Sequence, residues 1–177
     1  MSRPKAVTFK GTPMTLVGNA LRASQAAPDF KLHYFEGGLK ELTLKDLHGK
    51  PTLISVVPSL DTGVCSIQTK KFNTQLAELG GDVNALTVSL DLPFAQNRFC
   101  TENKISNMRI ASDYQDRNFG QSWGMLIDEI KLLARGVFVL DPNGTILHAE
   151  TVGEVTSEPN YEAAMNSLRG ALATSHA

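Results

Sequence analysis

One cysteine of this sequence, Cys65, stands where a thiol becomes reactive. The nearly continuous apolar stretch at 51–57 is typical of a buried strand, and the periodic pattern at 62–79 predicts an amphipathic helix. Cys65 therefore falls in the first turn of a helix, just after the end of a strand. The N–H groups and the dipole at a helix start stabilise a thiolate, which is the form of cysteine that attacks as a nucleophile.

Three residues that precede Cys65 could build a pocket around its sulfur. The Thr62 hydroxyl can accept a hydrogen bond from a protonated substrate oxygen and donate one to a charged atom. Pro58 has no N–H and can shield the pocket from water, while Gly63 lets a substrate approach the backbone. Such a pocket suits a small, polar substrate with two oxygens. The alternative is that Cys65 is a small buried hydrophobic residue, but Pro58 and Thr62 at these spacings favour the nucleophile.

Composition and charge exclude several other functions. The 17 basic and 18 acidic residues give a net charge of −1, without the basic block that nucleic-acid binding needs. We expect no membrane span and no signal peptide, hence a cytoplasmic protein. Cys65 and Cys100 do not form a CxxC pair, and the four histidines are scattered. We therefore expect no metal and no cofactor.

The elements that position Cys65 are predicted to form a single domain, 1–177. Strands are predicted at 6–10, 14–17, 31–35, 39–44, 53–57, 83–90, 108–112, 135–140 and 145–149, and helices at 62–79, 93–102, 116–123 and 161–172. The helix at 62–79 is expected to bury Ile67, Phe72, Leu76 and Leu79. The order is an N-terminal β-hairpin within 1–18, then alternating strands and helices, then a hairpin and a helix. We predict an α/β, thioredoxin-like fold with a mixed central sheet flanked by helices.

Pro58, Thr62 and Cys65 match the PxxxTxxC motif of the peroxiredoxins. Four segments resemble the bacterial thiol peroxidase subfamily of atypical two-cysteine peroxiredoxins: 28–30, 58–65, 91–100 and 134–135. The resemblance implies an enzyme that reduces hydrogen peroxide and alkyl hydroperoxides, with Cys65 attacking a peroxide oxygen and becoming a sulfenic acid. Thr62 and Arg135 would hold the peroxide oxygens, and Arg135 would also favour the thiolate.

The resemblance further implies that Cys100 is the resolving cysteine. It would form an intrachain disulfide with Cys65, and thioredoxin would reduce that bond. Because the two cysteines lie on different predicted helices, we expect local unwinding around both in each cycle. The resemblance also implies a homodimer, with Trp123 and Phe119 either at its contact or in the core.

Alternatives remain for each of these interpretations. Arg135 could be an exposed charge at a strand end, and Cys100 could be a core residue of its helix. The cysteine pair could serve a peroxide-responsive redox sensor that signals through a partner. The chain could also be a thioredoxin-fold module with inert cysteines.

Overall fold

The computed structural model describes residues 1–175 of the chain, which form two β-sheets and four α-helices. In chain order the elements are β1 (Ser2–Phe9), β2 (Thr12–Val17), β3 (Lys31–Phe35), β4 (Leu39–Thr43), β5 (Thr52–Val56), α1 (Gly63–Leu76), β6 (Asn84–Ser89), α2 (Pro93–Glu102), β7 (Arg109–Ser112), α3 (Asn118–Ser122), β8 (Leu126–Ile127), β9 (Leu132–Leu133), β10 (Gly136–Leu140), β11 (Ile146–Thr151) and α4 (Tyr161–Ser175). Short 3₁₀ helices lie at Leu44–Leu47 and Ala77–Asp82.

The larger sheet is mixed, as predicted. Its seven strands follow the order β11-β10-β5-β6-β7-β3-β4. β5, β6 and β7 run parallel, and the other neighbours pair antiparallel. All five residues of β5 are buried, because this strand has a neighbour on each side and is covered on both faces. That burial explains the continuous apolar run that precedes Cys65.

The two faces of the larger sheet carry different layers. Successive side chains of a strand point to opposite faces. Leu53 of β5 lies in an apolar cluster with Phe72 of α1 and Met165 of α4. The next residue, Ile54, lies in a larger cluster that includes Leu16 of β2. α1 is therefore packed on one face, and the sheet that contains the N-terminal hairpin is packed on the other.

The smaller sheet extends the predicted N-terminal hairpin. Its order is β1-β2-β8-β9, and β8 and β9 are two-residue strands too short for periodicity to reveal. Trp123 and Phe119 lie in the core beneath it, 1% and 0% exposed, with ring centroids 4.8 Å apart. The indole N–H of Trp123 donates to the carbonyl of Pro28 at 3.1 Å. Of the two positions considered for these aromatic residues, a dimer contact or the core, the structure shows the core.

Helix α1 is shorter than predicted, and it buries Phe72 and Leu76 as predicted but adds polar residues to the same buried face. It ends at Leu76, and the following 3₁₀ segment contains Gly80 with φ +63°. The expectation that Ile67 is buried is wrong, because 45% of this residue is exposed. Gln68 and Thr69 are buried instead. The buried face of α1 is thus partly polar, which a pattern based on hydrophobicity misassigns.

No helix within residues 1–175 is long and apolar enough to cross a membrane.

Candidate functional site

Cys65 is the third residue of α1 and is fully buried. Thr62 is the N-cap with extended backbone, and Gly63 is the first helical residue. The Cys65 N–H is therefore among the helix-start amides that have no carbonyl partner within the helix. Its side chain is 0% exposed, and its carbonyl accepts a hydrogen bond from the Thr69 hydroxyl at 2.8 Å. The sulfur thus lies beneath the surface rather than on it.

The guanidinium of Arg135 contacts this sulfur. Its Nη2 atom lies 3.3 Å from Cys65 Sγ, and Arg135 is only 2% exposed. The pairing of strands explains why Arg135 reaches Cys65, because β10 runs antiparallel to β5 and Gly136 lies opposite Val56. The start of β10 therefore reaches the sheet edge from which the chain enters α1. Arg135 is not the exposed strand-end charge that was its alternative.

Two protein groups besides the sulfur hold the Arg135 guanidinium. Its Nε donates to the carbonyl of Val155 at 2.7 Å, and Nη1 donates to Oε1 of Gln68 at 3.0 Å. Gln68 in turn donates through Nε2 to the hydroxyl of Ser55 at 2.7 Å. Together with the Cys65 sulfur, these groups give each nitrogen of the guanidinium a different partner, which fixes its plane.

Gln68, Ser55 and Val155 were missed in the sequence. Gln68 follows Cys65 by three positions, which places both on one face of α1. A polar residue on the buried face of a helix was a signal that could have found it. Val155 contributes only a backbone carbonyl, for which the sequence carries no signal.

Pro58 and Thr62 lie in the segment that leads from β5 into α1. Pro58 is buried, whereas Thr62 is exposed. The Thr62 hydroxyl donates to the carbonyl of Ser59 at 2.9 Å, which leaves its oxygen lone pairs free to accept. No hydrogen bond joins this hydroxyl to the sulfur among the described residues.

Asp91 ties the segment before Cys65 to the next part of the chain. Its Oδ1 accepts from the Ser59 hydroxyl at 2.8 Å, and its Oδ2 accepts from the Leu60 N–H at 2.8 Å. Oδ2 also accepts from the Ser89 hydroxyl at 2.7 Å. Asp91 lies between β6 and α2, the helix that carries Cys100. One carboxylate therefore connects the segments in front of both cysteines.

Cys100 lies near the end of α2 and is half-buried. It packs against an apolar cluster that contains Cys65, together with Leu60 and Ile105. Burial raises the pKa of the Cys100 thiol to about 11. Both cysteines are free in this structure. Cys100 thus shares its surroundings with Cys65 but keeps its proton at neutral pH, and its core alternative stays open.

The chemistry available at this site is that of a stabilised anion. The guanidinium and the helix-start N–H groups both direct positive charge toward the sulfur. The same donors can stabilise charge that develops on an oxygen attacked by the sulfur. Within residues 1–175, no group of three or more His, Cys, Asp and Glu side chains could hold a metal ion.

The amino-acid sequence is similar to a known family and to named bacterial proteins. The Redoxin family model matches residues 22–165. The thiol peroxidase of Bacillus subtilis (strain 168) is 51% identical over 156 residues, which span 88% of this chain and 92% of the relative. The thiol peroxidase of Halalkalibacterium halodurans is 47% identical over 167 residues, which span 94% of this chain and 99% of the relative.

Solved structures agree on the fold. The crystal structure of a peroxiredoxin-like protein from Aquifex aeolicus superposes with a TM-score of 0.86 at 38% identity, covering 94% of this chain and 97% of the other. The thiol peroxidase from Chromobacterium violaceum has a TM-score of 0.80 at 17% identity, covering 93% and 95%, and supports the fold alone. The thioredoxin-like fold prediction is confirmed. The family match over most of the chain and these close relatives show that this chain belongs to the Redoxin family, among its thiol peroxidases.

Proposed function

We propose that this chain is a thiol peroxidase in which Cys65 attacks the peroxide. The observation that carries the proposal is the contact between the Arg135 guanidinium and the buried Cys65 sulfur. Among residues 1–175 no carboxylate lies within ion-pair distance of Arg135, although Glu158 is near enough to interact with its charge, so the adjacent sulfur is the contacting group that could carry a compensating negative charge. The name shared by the relatives, thiol peroxidase, supports the same reaction.

In the first step the Cys65 thiolate attacks one peroxide oxygen in line with the O–O bond. That bond breaks, the sulfur becomes a sulfenic acid, and the leaving oxygen takes a proton to become water or an alcohol. Arg135 and the Cys65 N–H stabilise the charge that develops between the oxygens. Thr62 accepts the hydrogen bond of the protonated peroxide oxygen, since its own proton is donated to Ser59. Pro58 shields the site from water.

In the second step Cys100 attacks the sulfenic sulfur. Water leaves and a Cys65–Cys100 disulfide forms. A thioredoxin-type dithiol then reduces this disulfide and is itself oxidised. The shared apolar cluster places the two cysteines in one region of the fold. Cys65 lies in the first turn of α1, and Cys100 lies near the end of α2. Unwinding of the start of α1 and the end of α2 would bring the two sulfurs together.

The test is peroxide consumption supported by thioredoxin, thioredoxin reductase and NADPH. Wild type should turn over many times, and Cys65→Ser should be inactive. Wild type that shows no turnover above the Cys65→Ser control would refute the peroxidase. Oxidation by one equivalent with poor turnover would instead point to the redox sensor.

The role of Cys100 has its own test. Cys100→Ser should still consume one equivalent of peroxide, because Cys65 is intact, but should lose thioredoxin-supported turnover. Mass spectrometry should find the intrachain disulfide in oxidised wild type only. Unchanged turnover in Cys100→Ser would show that another thiol resolves the sulfenic acid.

We also propose a cytoplasmic homodimer. A dithiol reductant is maintained in reducing compartments, which supports the cytoplasm. Leu92 and Phe94 at the start of α2 are 53% and 56% exposed, and a second copy would cover them. Light scattering of wild type and a Phe94→Glu variant checks this: the dimer should dissociate in the variant, and a monomeric wild type would exclude it.

A further inference from the structure

The N-terminal hairpin is fastened to the segment 153–156 by one carboxylate. Glu154 accepts from the Thr8 hydroxyl at 2.8 Å and from the backbone N–H groups of Gly11 and Lys10 at 2.9 and 3.1 Å. It also accepts from the Thr156 hydroxyl at 2.6 Å and the Thr156 N–H at 2.9 Å. Hydrogen bonds from Thr156, Gly11 and Thr8 hold the pKa of Glu154 far below its usual range. The carboxylate therefore stays ionised and keeps accepting.

Backbone hydrogen bonds complete this attachment. The Thr8 N–H donates to the carbonyl of Gly153 at 2.7 Å, and the Val155 N–H donates to the carbonyl of Thr8 at 2.8 Å. β1 thus runs beside 153–155 as a short parallel bridge. Val155 is held by its N–H to the hairpin, and its carbonyl is free to accept from elsewhere.

That carbonyl accepts from Arg135. The Nε–H of Arg135 donates to it at 2.7 Å, while Nη2 of the same guanidinium contacts Cys65. A continuous path of short contacts therefore leads from the hairpin through Val155 and Arg135 to the sulfur. Gln68 alone would hold the guanidinium at one nitrogen and let it rotate, whereas the second anchor at Val155 fixes its plane.

We propose that the hairpin β1–β2 is a positioning element for Arg135, and that Glu154 is the positioning residue that fastens it. This inference rests on the proposed function, in which Arg135 stabilises the Cys65 thiolate. Glu154 touches neither sulfur nor substrate in this scheme. It acts by keeping the Val155 carbonyl where Arg135 needs it.

The chain offers a matched control in Glu129. Its carboxylate also binds the hairpin, accepting from the Thr15 N–H of β2 at 2.8 and 3.0 Å. Glu129 follows β8 and makes no hydrogen bond to residues 153–156 among those the structure describes. Glu129→Gln therefore weakens a carboxylate contact to β2 and leaves the attachment of β1 to residues 153–155 in place.

The experiment compares Glu154→Gln with Glu129→Gln, both in a Cys100→Ser background. The thiolate fraction of Cys65 is followed by ultraviolet absorbance across a pH series, and the single-turnover rate with hydrogen peroxide is measured separately. Glu154→Gln should lower the thiolate fraction at neutral pH and slow the peroxide reaction about tenfold, less than the loss of a direct donor. Glu129→Gln should leave both unchanged. The thiolate titration needs no turnover, so a failure of the peroxidase proposal would be seen separately.

Equal effects of the two substitutions, or no effect of Glu154→Gln, would overturn the proposal. If Glu154→Gln fails to fold, Thr8→Val serves in its place, since it removes the hydroxyl that donates to Glu154 at 2.8 Å and lies 3.4 Å from the Gly153 carbonyl oxygen. It should lower the thiolate fraction in the same direction by a smaller factor, and an unchanged titration in a folded Thr8→Val protein would also overturn the proposal.

Discussion

Arg135 Nη2 lies 3.3 Å from Cys65 Sγ, although the two residues are 70 positions apart in the chain. The antiparallel pairing of β10 with β5 produces this contact, because it puts the start of one strand beside the end of the other. A buried cation is costly unless it meets acceptors or an anion. Val155 and Gln68 satisfy two of its nitrogens, and the third faces the sulfur. The pair is therefore the electrostatic centre of the site.

Replacing Arg135 by lysine should slow the reaction with peroxide. A compact ammonium cannot reach three acceptors arranged for a planar fork. We expect Arg135→Lys to lower the second-order rate with hydrogen peroxide by about 100-fold, as for the loss of a preorganised donor. Stopped-flow kinetics measure this rate. Arg169→Lys, at an exposed position of α4, is the control, and a wild-type rate in Arg135→Lys would remove the guanidinium from the reaction.

The half-buried thiol of Cys100 should ionise late. Burial raises its pKa from 9.0 to about 11. A pKa raised above the unfolded value means that this group's contribution to stability is complete below pH 9 and is lost as the pH rises toward about 11. In a Cys65→Ser variant, alkylation of Cys100 should keep accelerating with pH until about 11.

The same variant in urea is the control for Cys100. There the alkylation rate should stop rising at a pH near the pKa of an unperturbed cysteine, 9.0. The folded protein could instead show the same pH dependence of alkylation as the protein in urea. Cys100 would then react only after α2 opens, which would contradict the prediction.

Breaking the Asp91 tie should ease the opening of the segment before Cys65. In Asp91→Asn an amide NH₂ replaces one acceptor oxygen, so a hydrogen bond to Ser59, Leu60 or Ser89 is lost. These hydrogen bonds are partly buried, and losing one of them costs about 1 kcal/mol. We expect faster hydrogen exchange at the Leu60 amide and faster formation of the Cys65–Cys100 disulfide after a pulse of peroxide.

Asp141→Asn is a suitable control for Asp91→Asn. Asp141 accepts two backbone N–H groups, of Asn143 and Thr145, in the turn before β11. Its replacement should change neither rate. Disulfide formation at the wild-type rate in Asp91→Asn would show that this carboxylate does not limit the opening.

The buried carboxyl of Asp113 should make stability depend on pH. Burial raises its pKa to about 6, although backbone N–H groups of Gly120 and Phe119 act in the opposite direction. A raised pKa means that the contribution of Asp113 to stability is complete below pH 3.8 and is lost as the pH rises through about 6. As the pH rises through this range, the free energy of unfolding of wild type should fall relative to that of Asp113→Asn.

Urea denaturation at several pH values measures the Asp113 effect. Asp82→Asn, at an exposed position at the end of the 3₁₀ helix Ala77–Asp82, controls for the loss of one acidic residue. A difference between wild type and Asp113→Asn that is independent of pH would contradict the prediction.

Local sequence was enough to predict the corner that carries Cys65. The apolar run of β5, the Thr62 N-cap and the start of α1 depend on neighbours in the chain, and the PxxxTxxC spacing lies within one strand-to-helix turn. The bounds of α2 were predicted without error for the same reason, since Pro93 begins it and its periodicity is local. The hairpin at the N-terminus also follows from local alternation.

What surrounds Cys65 was decided by the tertiary structure. Arg135 meets the sulfur through the pairing of β10 with β5, and Gln68 is buried because the guanidinium and Ser55 satisfy its amide. The carbonyl of Val155 joins the site through a hairpin far away in sequence. The sequence by itself identified Cys65 as the candidate nucleophile and predicted the strand and the helix that present it. Contacts between distant segments bring the guanidinium of Arg135 to the sulfur, supply the acceptors that orient it and bury the sulfur. No local pattern of side chains encodes these contacts.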